Sequence, residues 1–473
     1  MAKPNGKRAI EPTGEPNPDA VGLLHWVASD PRLAEACAAA VDPLEVAARL
    51  ETFGLSSRVA EDMFGYRDVF SAAHAVYTSV PFEDTEPPPR APEPMGRPLD
   101  LLRGALYAIP AVFFTVVVDG FGVPTRWWVL LVGLTIAWGI SQAVAVVGWA
   151  LRGRGDERSD SLLACTSILV TAALCFGVAL AVRSRLGGTD ACVFVAVALG
   201  TYIAASGVLL FHRAEWLLGL SLVPAIVGSI LGQGIISHRA AAWCVVASAG
   251  LVLVAALRPL AWRRWHLPSL RSVEWQRAAK FFVYGIGCGL LTSVVVGFGT
   301  GGTGTGEAMV IAVIPLLLTL GLMEWHLRSF RSRATAALST TSDLRAFARR
   351  VRGAMFRSVG TYVAVLAIVS VAALIVGHER HTAMAPLLLG TVDALGICFF
   401  LALLLVSSGQ INRVLITWGA TFAVLGATVA ITWVVSGHVT ATAGIAALLL
   451  AVTIAIVTLA GLSRRVLSSP LSY

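Results

Sequence analysis

Residues 386–406 read PLLLGTVDALGICFFLALLLV, an apolar run of 21 residues in which Asp393 is the one ionisable side chain. A helix rises about 1.5 Å per residue, so a run of this length matches a hydrocarbon core about 30 Å thick. The alternation typical of a barrel strand is missing, and lipid offers the backbone no hydrogen-bond partner. The run therefore predicts a membrane-spanning helix.

Similar runs recur after residue 100, which predicts an all-α polytopic membrane protein with about 12 transmembrane helices. The twelve predicted spans are 101–119, 127–150, 161–182, 191–211, 215–236, 241–257, 281–297, 307–324, 358–377, 383–406, 412–435 and 439–462. We expect two six-helix lobes, at 101–257 and 281–465, with an amphipathic inner linker at 258–280 and a cytoplasmic tail at 466–473.

The composition of the 473-residue chain agrees with this class. Hydrophobic residues make up 56% of it and charged residues 14%, and the mean hydropathy is +0.76. Soluble domains carry roughly a quarter charged residues. Secreted hydrolases, nucleotide-fold dehydrogenases and free nucleic-acid binders are therefore disfavoured.

The first hundred residues differ from the rest in charge. They hold nine basic and sixteen acidic side chains, a balance of −7, whereas the remaining 373 residues have a balance of +15. We predict a disordered tail at 1–19, an acidic cytoplasmic helical domain at 20–81 and a Pro-rich linker at 82–100. Within the domain, Ser56 or Ser57 is expected to cap a helix. The negative charge disfavours nucleic acid as a partner, so we expect docking or regulation.

Basic residues in the predicted loops indicate the orientation. With a cytoplasmic N-terminus, the inner loops hold 21 arginine or lysine residues and the outer loops hold five, which agrees with the positive-inside rule. We therefore predict a multi-pass protein of the inner (plasma) membrane with both termini in the cytoplasm. Residues 1–19 are polar, so no signal peptide is expected.

The eighth and ninth spans are separated by an arginine-rich segment at residues 328–357. Its sequence DLRAFARRVR, residues 343–352, has helical spacing. We predict an amphipathic helix on the cytoplasmic face, and a solvated basic loop is the alternative.

The glycine-rich stretch GFGTGGTGTG, residues 297–306, formally satisfies the pattern GxGxxG. A dinucleotide-binding loop of this kind must follow a strand and open a helix. Here the stretch joins two membrane spans, so we predict a flexible outer turn or gate instead of a nucleotide site.

Asp393 is the leading candidate for a functional residue. A carboxylate near the middle of a span costs about 3 kcal/mol unless it faces a partner or water. Such a group suits proton or cation coupling, or a hydrogen bond to a sugar hydroxyl. The alternative is a helix-packing hydrogen bond to a neighbouring serine or threonine.

Five further residues are candidates for transport or coupling. Gln142 and Gln233 fall inside the second and fifth spans, where they would line the same cavity or join helices. Asp119, Glu307 and Glu324 fall near span ends, where snorkelling to water is the alternative. The cysteines and histidines show no metal-ligand spacing, so we predict no metal site, no cofactor and no catalytic residue.

The segment PLLLTLGLMEWHLRSFRSR, residues 315–333, precedes the predicted arginine-rich helix. Together with twelve spans divided six and six, it resembles the multidrug/oligosaccharidyl-lipid/polysaccharide (MOP) exporter superfamily, and within it the Pel-type exopolysaccharide transporters and polysaccharide flippases. The likeness covers roughly residues 101–465. It implies two lobes that form a V around a central cavity and rock between inward-open and outward-open states.

The resemblance implies membrane lipid and a glycan or lipid-linked glycan cargo as partners. Arginines are missing from the middle of the spans, which favours a neutral or aminated glycan, or a small cation-coupled cargo, over a strongly anionic lipid-linked one. One alternative is a non-transporting scaffold that recruits a cytoplasmic synthase through residues 20–81. Another is a lipid-linked-sugar glycosyltransferase with Asp119 as its acid, which the short loop at 121–126 disfavours.

Overall fold

The computed structural model describes residues 18–38, 40, 42–80, 106, 116–118, 120–122, 127–153, 157–262, 275–299, 306–340, 344–379 and 386–466. The chain divides into two units between residues 93 and 94. Four predicted segments lie wholly or almost wholly outside the described residues: the tail at 1–19, the first span at 101–119, the Pro-rich linker and the C-terminal tail.

The first unit contains five short helices. They are α1 (Pro18–Ser29), α2 (Pro31–Ala38), α3 (Pro43–Thr52), α4 (Ser57–Phe64) and α5 (Val69–Ser79). Asp42, Ser56 and Asp68 each accept a hydrogen bond from the backbone N–H three residues on, and so cap α3, α4 and α5. Of the two predicted caps, Ser56 is therefore the one used. Helix α1 begins at Pro18, two residues inside the predicted tail.

The first unit has a hydrophobic core of its own, to which all five helices contribute. Fully buried members from successive helices are Leu23, Leu33, Leu50, Ala60 and Val76. Burial of this apolar area stabilises the unit by roughly 25 cal/mol per Å² removed from water. The described residues 18–80 thus form a compact helical unit, and its cytoplasmic location stays a prediction.

Eleven longer helices build the described part of the second unit. They are α6 (Trp127–Gly153), α7 (Glu157–Leu186), α8 (Asp190–Phe211), α9 (Glu215–Leu231), α10 (His238–Trp262), α11 (Trp275–Gly299), α12 (Gly306–Thr340), α13 (Leu344–Glu379), α14 (Pro386–Ser407), α15 (Ile411–Ser436) and α16 (Ala441–Val466). Each of the last eleven predicted spans coincides with one of them. Within the described ranges, nine helices are long and apolar enough to cross a membrane, and α9 is apolar but shorter.

The described membrane helices form two groups by their packing. In the first group α6 packs against α7 and α8, and α10 packs against α8 and α9. In the second group α13 packs against α12, α14 against α16, and α15 against α11 and α16. Helix α14 lies at the centre of the second group, where Val392, Leu395, Cys398 and Phe400 are fully buried. The broadest single contact, between α6 and α11, joins the two groups, and the predicted bounds of the two lobes stay a prediction.

The arginine-rich segment at residues 328–357 is not a separate helix on the membrane surface. Helix α12 continues to Thr340 and α13 begins at Leu344, so the segment belongs to the ends of two helices of 35 and 36 residues. Phe330 and Ala334 of α12, with Phe347 and Val351 of α13, are buried in the same core cluster as the membrane portions. Because this packing continues past the apolar spans, α12 and α13 extend together beyond them.

Two other boundaries differ from those predicted. Helix α10 continues to Trp262 and α11 begins at Trp275, so both ends of the predicted linker at 258–280 are helical. The fifth span was predicted to reach residue 236, but α9 ends at Leu231. Glycines 232 and 234 follow, and the chain turns there, with the N–H groups of Ile235 and Ile236 bonded to the carbonyl of Leu231.

Candidate functional site

Asp393 lies in the middle of α14, on a helix whose other faces are packed. Its side chain is half-buried, and Ser370 Oγ of α13 donates a hydrogen bond of 2.7 Å to Asp393 Oδ1. Ser370 is itself buried. Among the described basic residues none forms an ion pair with Asp393. A membrane carboxylate with one hydroxyl donor keeps lone pairs for a proton, a cation or a sugar hydroxyl.

A pair of hydroxyl groups, on Tyr362 and Thr319, lies one to two helical turns from the Asp393–Ser370 pair. Tyr362 of α13 and Thr319 of α12 are fully buried, and their oxygens are 3.2 Å apart. Thr319 donates its proton to the carbonyl of Pro315, 2.8 Å away, so Tyr362 is the donor between the two hydroxyls. A Cβ atom on Gly396 would lie 2.9 Å from the Tyr362 hydroxyl. The absence of a side chain at Gly396 therefore lets Tyr362 reach α14 close to Asp393.

Aromatic rings lie next to these polar side chains, on the side nearer to the arginine-rich ends of α12 and α13. The rings of Tyr362 and Phe400 are 4.9 Å apart, and His326 of α12 lies 6.2 Å from Phe400. His326 is buried in the interior of α12 and contacts Thr361 Oγ1 at 3.4 Å. Hydroxyl, carboxyl and imidazole groups thus share the interface of α12, α13 and α14.

The other predicted candidates are not gathered at Asp393. Gln142 is half-buried on α6, in the other helix group. Gln233 was predicted inside a span, but it is exposed in the turn that follows α9. Glu324 Oε2 lies 4.0 Å from Arg328 Nη2, one turn along α12, which agrees with a residue near the end of its span.

The side chains of two candidate carboxylates, Asp119 and Glu307, are not among those that the structure describes. Asp119 lies outside the described residues, and Glu307 belongs to the first turn of α12, where only the backbone is described. The glycine-rich stretch at 297–306 is described at its ends alone, as the last residues of α11 and the first of α12. Its proposed role as a turn or gate stays a prediction.

Helices α6 and α11 cross at a short distance, which was not predicted from the sequence. A Cβ atom on Gly289 would lie 2.6 Å from Thr135 Cα, and one on Gly285 would lie 2.8 Å from Gly139 Cα. Thr135 and Ser293 hydroxyls are 3.5 Å apart in the buried contact. The signal was readable, because Gly285, Gly289 and Ser293 follow one another at intervals of four residues, the spacing that brings membrane helices close together.

Comparison with known proteins concerns this arrangement of helices. No protein-family model matches the sequence, and no curated protein matches it. A crystal structure of a point mutant of the Vibrio cholerae MATE transporter VcmN is 13% identical, with a TM-score of 0.50, and the match covers 79% of this chain and 98% of that chain. Inward-facing and outward-facing structures of a multidrug resistance MATE family transporter of the MOP superfamily are 14% and 13% identical, both with TM-scores of 0.46, and cover 78% of this chain and 94% and 96% of theirs.

The likeness to VcmN shows that most of the chain has the fold of a MATE transporter. The predicted all-α polytopic fold is thereby confirmed, whereas membership of the MOP exporter superfamily stays a prediction. The finer resemblance to Pel-type exopolysaccharide transporters and polysaccharide flippases stays a prediction.

Proposed function

We propose that this protein is a membrane exporter that moves a polysaccharide or lipid-linked saccharide out of the cytoplasm by alternating access. Asp393 binds the proton or cation whose inward movement drives the cycle. The observation that carries the proposal is the half-buried carboxylate of Asp393 in the middle of α14, held by Ser370 and close to Tyr362. A group of this kind marks an ion or substrate path by default, because its burial in a membrane is costly.

The arrangement of the helices supports the transport part of the proposal. Most of the chain shares the fold of a MATE transporter, and its described membrane helices pack into two groups. Two groups that move against each other expose a central site first to one side of a membrane and then to the other. Binding at Asp393 would bias that motion, because the charge on the carboxylate changes with occupancy.

The proposed cargo is neutral or aminated. Asp393 supplies a hydrogen-bond acceptor or a negative charge, which suits sugar hydroxyls and amino groups. In the sequence, arginines are concentrated outside the middle of the spans. A strongly anionic cargo would lack cationic partners near Asp393, since none of the described basic residues pairs with this carboxylate.

Surface display of polysaccharide in a deletion strain tests this function. Wild-type protein is expected to restore display, and Asp393→Asn is expected to lower it at least tenfold, because the amide cannot bind or release a proton. The matched control is Glu324→Gln, the same acid-to-amide change at a carboxylate that faces Arg328. This control is expected to retain most of the display.

Membrane levels of each variant are measured in parallel by immunoblotting. Full complementation by Asp393→Asn would make Asp393 structural, as a packing hydrogen bond to Ser370. Unchanged surface glycan in the deletion strain would overturn the polysaccharide cargo.

The second candidate is the non-transporting scaffold that recruits a cytoplasmic synthase. It is favoured by one observation, that residues 18–80 form a unit with its own hydrophobic core. A variant lacking residues 1–81 discriminates the two. The scaffold loses all glycan display with this deletion and keeps it with Asp393→Asn, whereas the exporter shows its larger loss with Asp393→Asn.

A further inference from the structure

Among the described helices, the two groups meet mainly through one pair. Among the described helices, α6 and α11 make the most extensive contact of any pair, and it is the one broad contact between α6–α10 and α11–α16. A smaller contact accompanies it, in which the ring of Trp138 of α6 lies 5.9 Å from that of Phe399 of α14. How the groups move therefore depends on what the α6–α11 contact permits.

Glycines let the two helices approach closely in the middle of this contact, backbone to backbone at Gly285 and against the Ile286 side chain at Gly139. A Cβ atom added to Gly285 would lie 2.7 Å from the Trp138 carbonyl oxygen. A Cβ atom added to Gly139 would lie 2.9 Å from the side chain of Ile286. The corresponding position on Gly289 is 2.6 Å from Thr135 Cα. At Gly285 and Gly289 a side chain would overlap the backbone of α6, so none fits there without displacing a helix. At Gly139 a side chain would displace the Ile286 side chain.

The contact runs along most of the membrane thickness. It extends from the Thr135–Ser293 hydroxyl pair to a buried cluster of Val147, Leu151 and Ala278. From residue 135 to residue 151 a helix advances about 24 Å, close to the roughly 30 Å of a hydrocarbon core. A gate that opened here would have to separate both halves of this contact.

We propose that the α6–α11 contact is the pivot of the transport cycle: it stays closed in every state while the two helix groups rotate about it, and cargo passes elsewhere between them. At Gly285 and Gly289 the two backbones meet with no side chain between them, so the helices can rotate on each other by small angles and still remain in contact. Separation, in contrast, would forfeit close packing along the whole contact and uncover the Thr135 and Ser293 hydroxyls. The inference rests on the alternating access proposed above.

A disulfide across the contact tests the pivot. Thr135→Cys with Ser293→Cys places two thiols where the native oxygens are 3.5 Å apart, within reach of a bond of about 2.05 Å after small side-chain adjustment. After oxidation and confirmation of the linkage by mass spectrometry, the cross-linked protein is expected to display glycan within twofold of its reduced form. Loss of display that a reductant restores would overturn the pivot and leave the transport function standing.

Each single-cysteine variant and the oxidised wild type serve as controls, since six of the seven native cysteines are buried and Cys244 is half-buried. The Leu151→Cys and Ala278→Cys pair repeats the test at the other end, in case the first pair fails to fold. Failure of both folded pairs to cross-link would mean that the contact is not closed, which also contradicts the proposal.

A second readout does not depend on the cargo. Ser293→Cys alone is expected to stay unreactive toward a water-soluble maleimide in energised and in de-energised cells, whereas His438→Cys, in an exposed turn, reacts in both. Labelling of Ser293→Cys in either condition would overturn the pivot. If wild-type protein exports no glycan but Ser293→Cys stays protected, the proposed cargo fails and the closed contact stands.

Discussion

Glycine and the small hydroxyl residues have an additional role in the second unit that they lack among the described residues of the first. In the first unit Gly65 ends α4 in a left-handed conformation with φ of 69°, and Ser56 caps the start of the same helix. In the second unit Gly285 and Gly289 lie inside α11 against another backbone, and Thr432 donates to the carbonyl of Thr428 within its own helix. The same residue types define helix ends in both units, since Gly437 ends α15 and Thr440 accepts from the N–H of Ala443 at the start of α16. In the second unit they also bring helix backbones into contact.

The solvent explains the difference. In water a helix end competes with solvent for its free N–H groups, so a capping side chain stabilises the fold. In lipid no hydrophobic force draws two helices together, and association depends on close packing of small residues. A hydroxyl in lipid bonds either to its own helix backbone, as Thr432 does, or to a polar group on another helix, as Ser370 does with Asp393.

The sharpest test of this contrast is a bulky residue in the glycine contact. Gly289→Leu is expected to lower the free energy of unfolding by about 3 kcal/mol, because its side chain would overlap the backbone at Thr135. The control is Gly177→Leu, at a helical glycine whose Cβ position has no neighbouring atom within 4 Å, with a change expected within about 0.5 kcal/mol. Thermal unfolding of the purified protein in detergent measures both, and equal shifts would contradict the contrast.

A smaller effect is expected when a capping hydroxyl is removed, and a still smaller one when the removed hydroxyl bonds only to its own helix backbone. Ser56→Ala is expected to cost about 1 kcal/mol, seen as faster hydrogen exchange of the α4 amides in the full-length protein. Thr432→Val is expected to change unfolding in detergent by less than about 0.5 kcal/mol. A larger cost for Thr432→Val would show that its hydroxyl bonds to another helix.

The smallest predicted effect is a pH dependence confined to the first unit. The backbone N–H of Ser71 donates to Asp68 Oδ1 at 2.7 Å and lowers the pKa of this carboxyl. A lowered pKa means that the cap stabilises α5 above the unfolded pKa of about 3.9 and that this contribution is lost as pH falls through the folded value. Wild type is therefore expected to protect the α5 amides from hydrogen exchange more strongly than Asp68→Asn at pH 6, and this difference in protection should become smaller at pH 3. A difference that widened on acidification would contradict the prediction.

Run length and hydropathy predicted where the helices lie, because lipid forces any long apolar segment into a helix. They did not predict where α12 and α13 end, since the arginines of residues 328–357 look the same in a loop, in a surface helix and in an extended helix. Gln233 was placed inside a span for the related reason that Gly232 and Gly234 count as apolar in a window although they permit a turn.

The site was predicted in part. Asp393 was identifiable because one carboxylate interrupts an apolar run. Its hydroxyl partner is the one that the helix-packing alternative expected, and its role in coupling stays a prediction. That this partner is Ser370 depends on how α13 is rotated about its axis toward α14. No short sequence pattern shows that rotation. Tyr362 and Thr319 were missed for the same reason, whereas the glycine spacing of α11 was visible and was passed over.

The 36-residue length of α13 makes it a lever. The apolar span at 358–377 leaves 14 residues, about 21 Å of helix, beyond the bilayer, braced along α12 by Phe347 and Val351. A tilt of the membrane part is magnified at the far end, so the tip near Leu344 sweeps a wider arc than any atom at Asp393. A probe attached to that tip would turn a small movement inside the membrane into a displacement large enough to follow in real time.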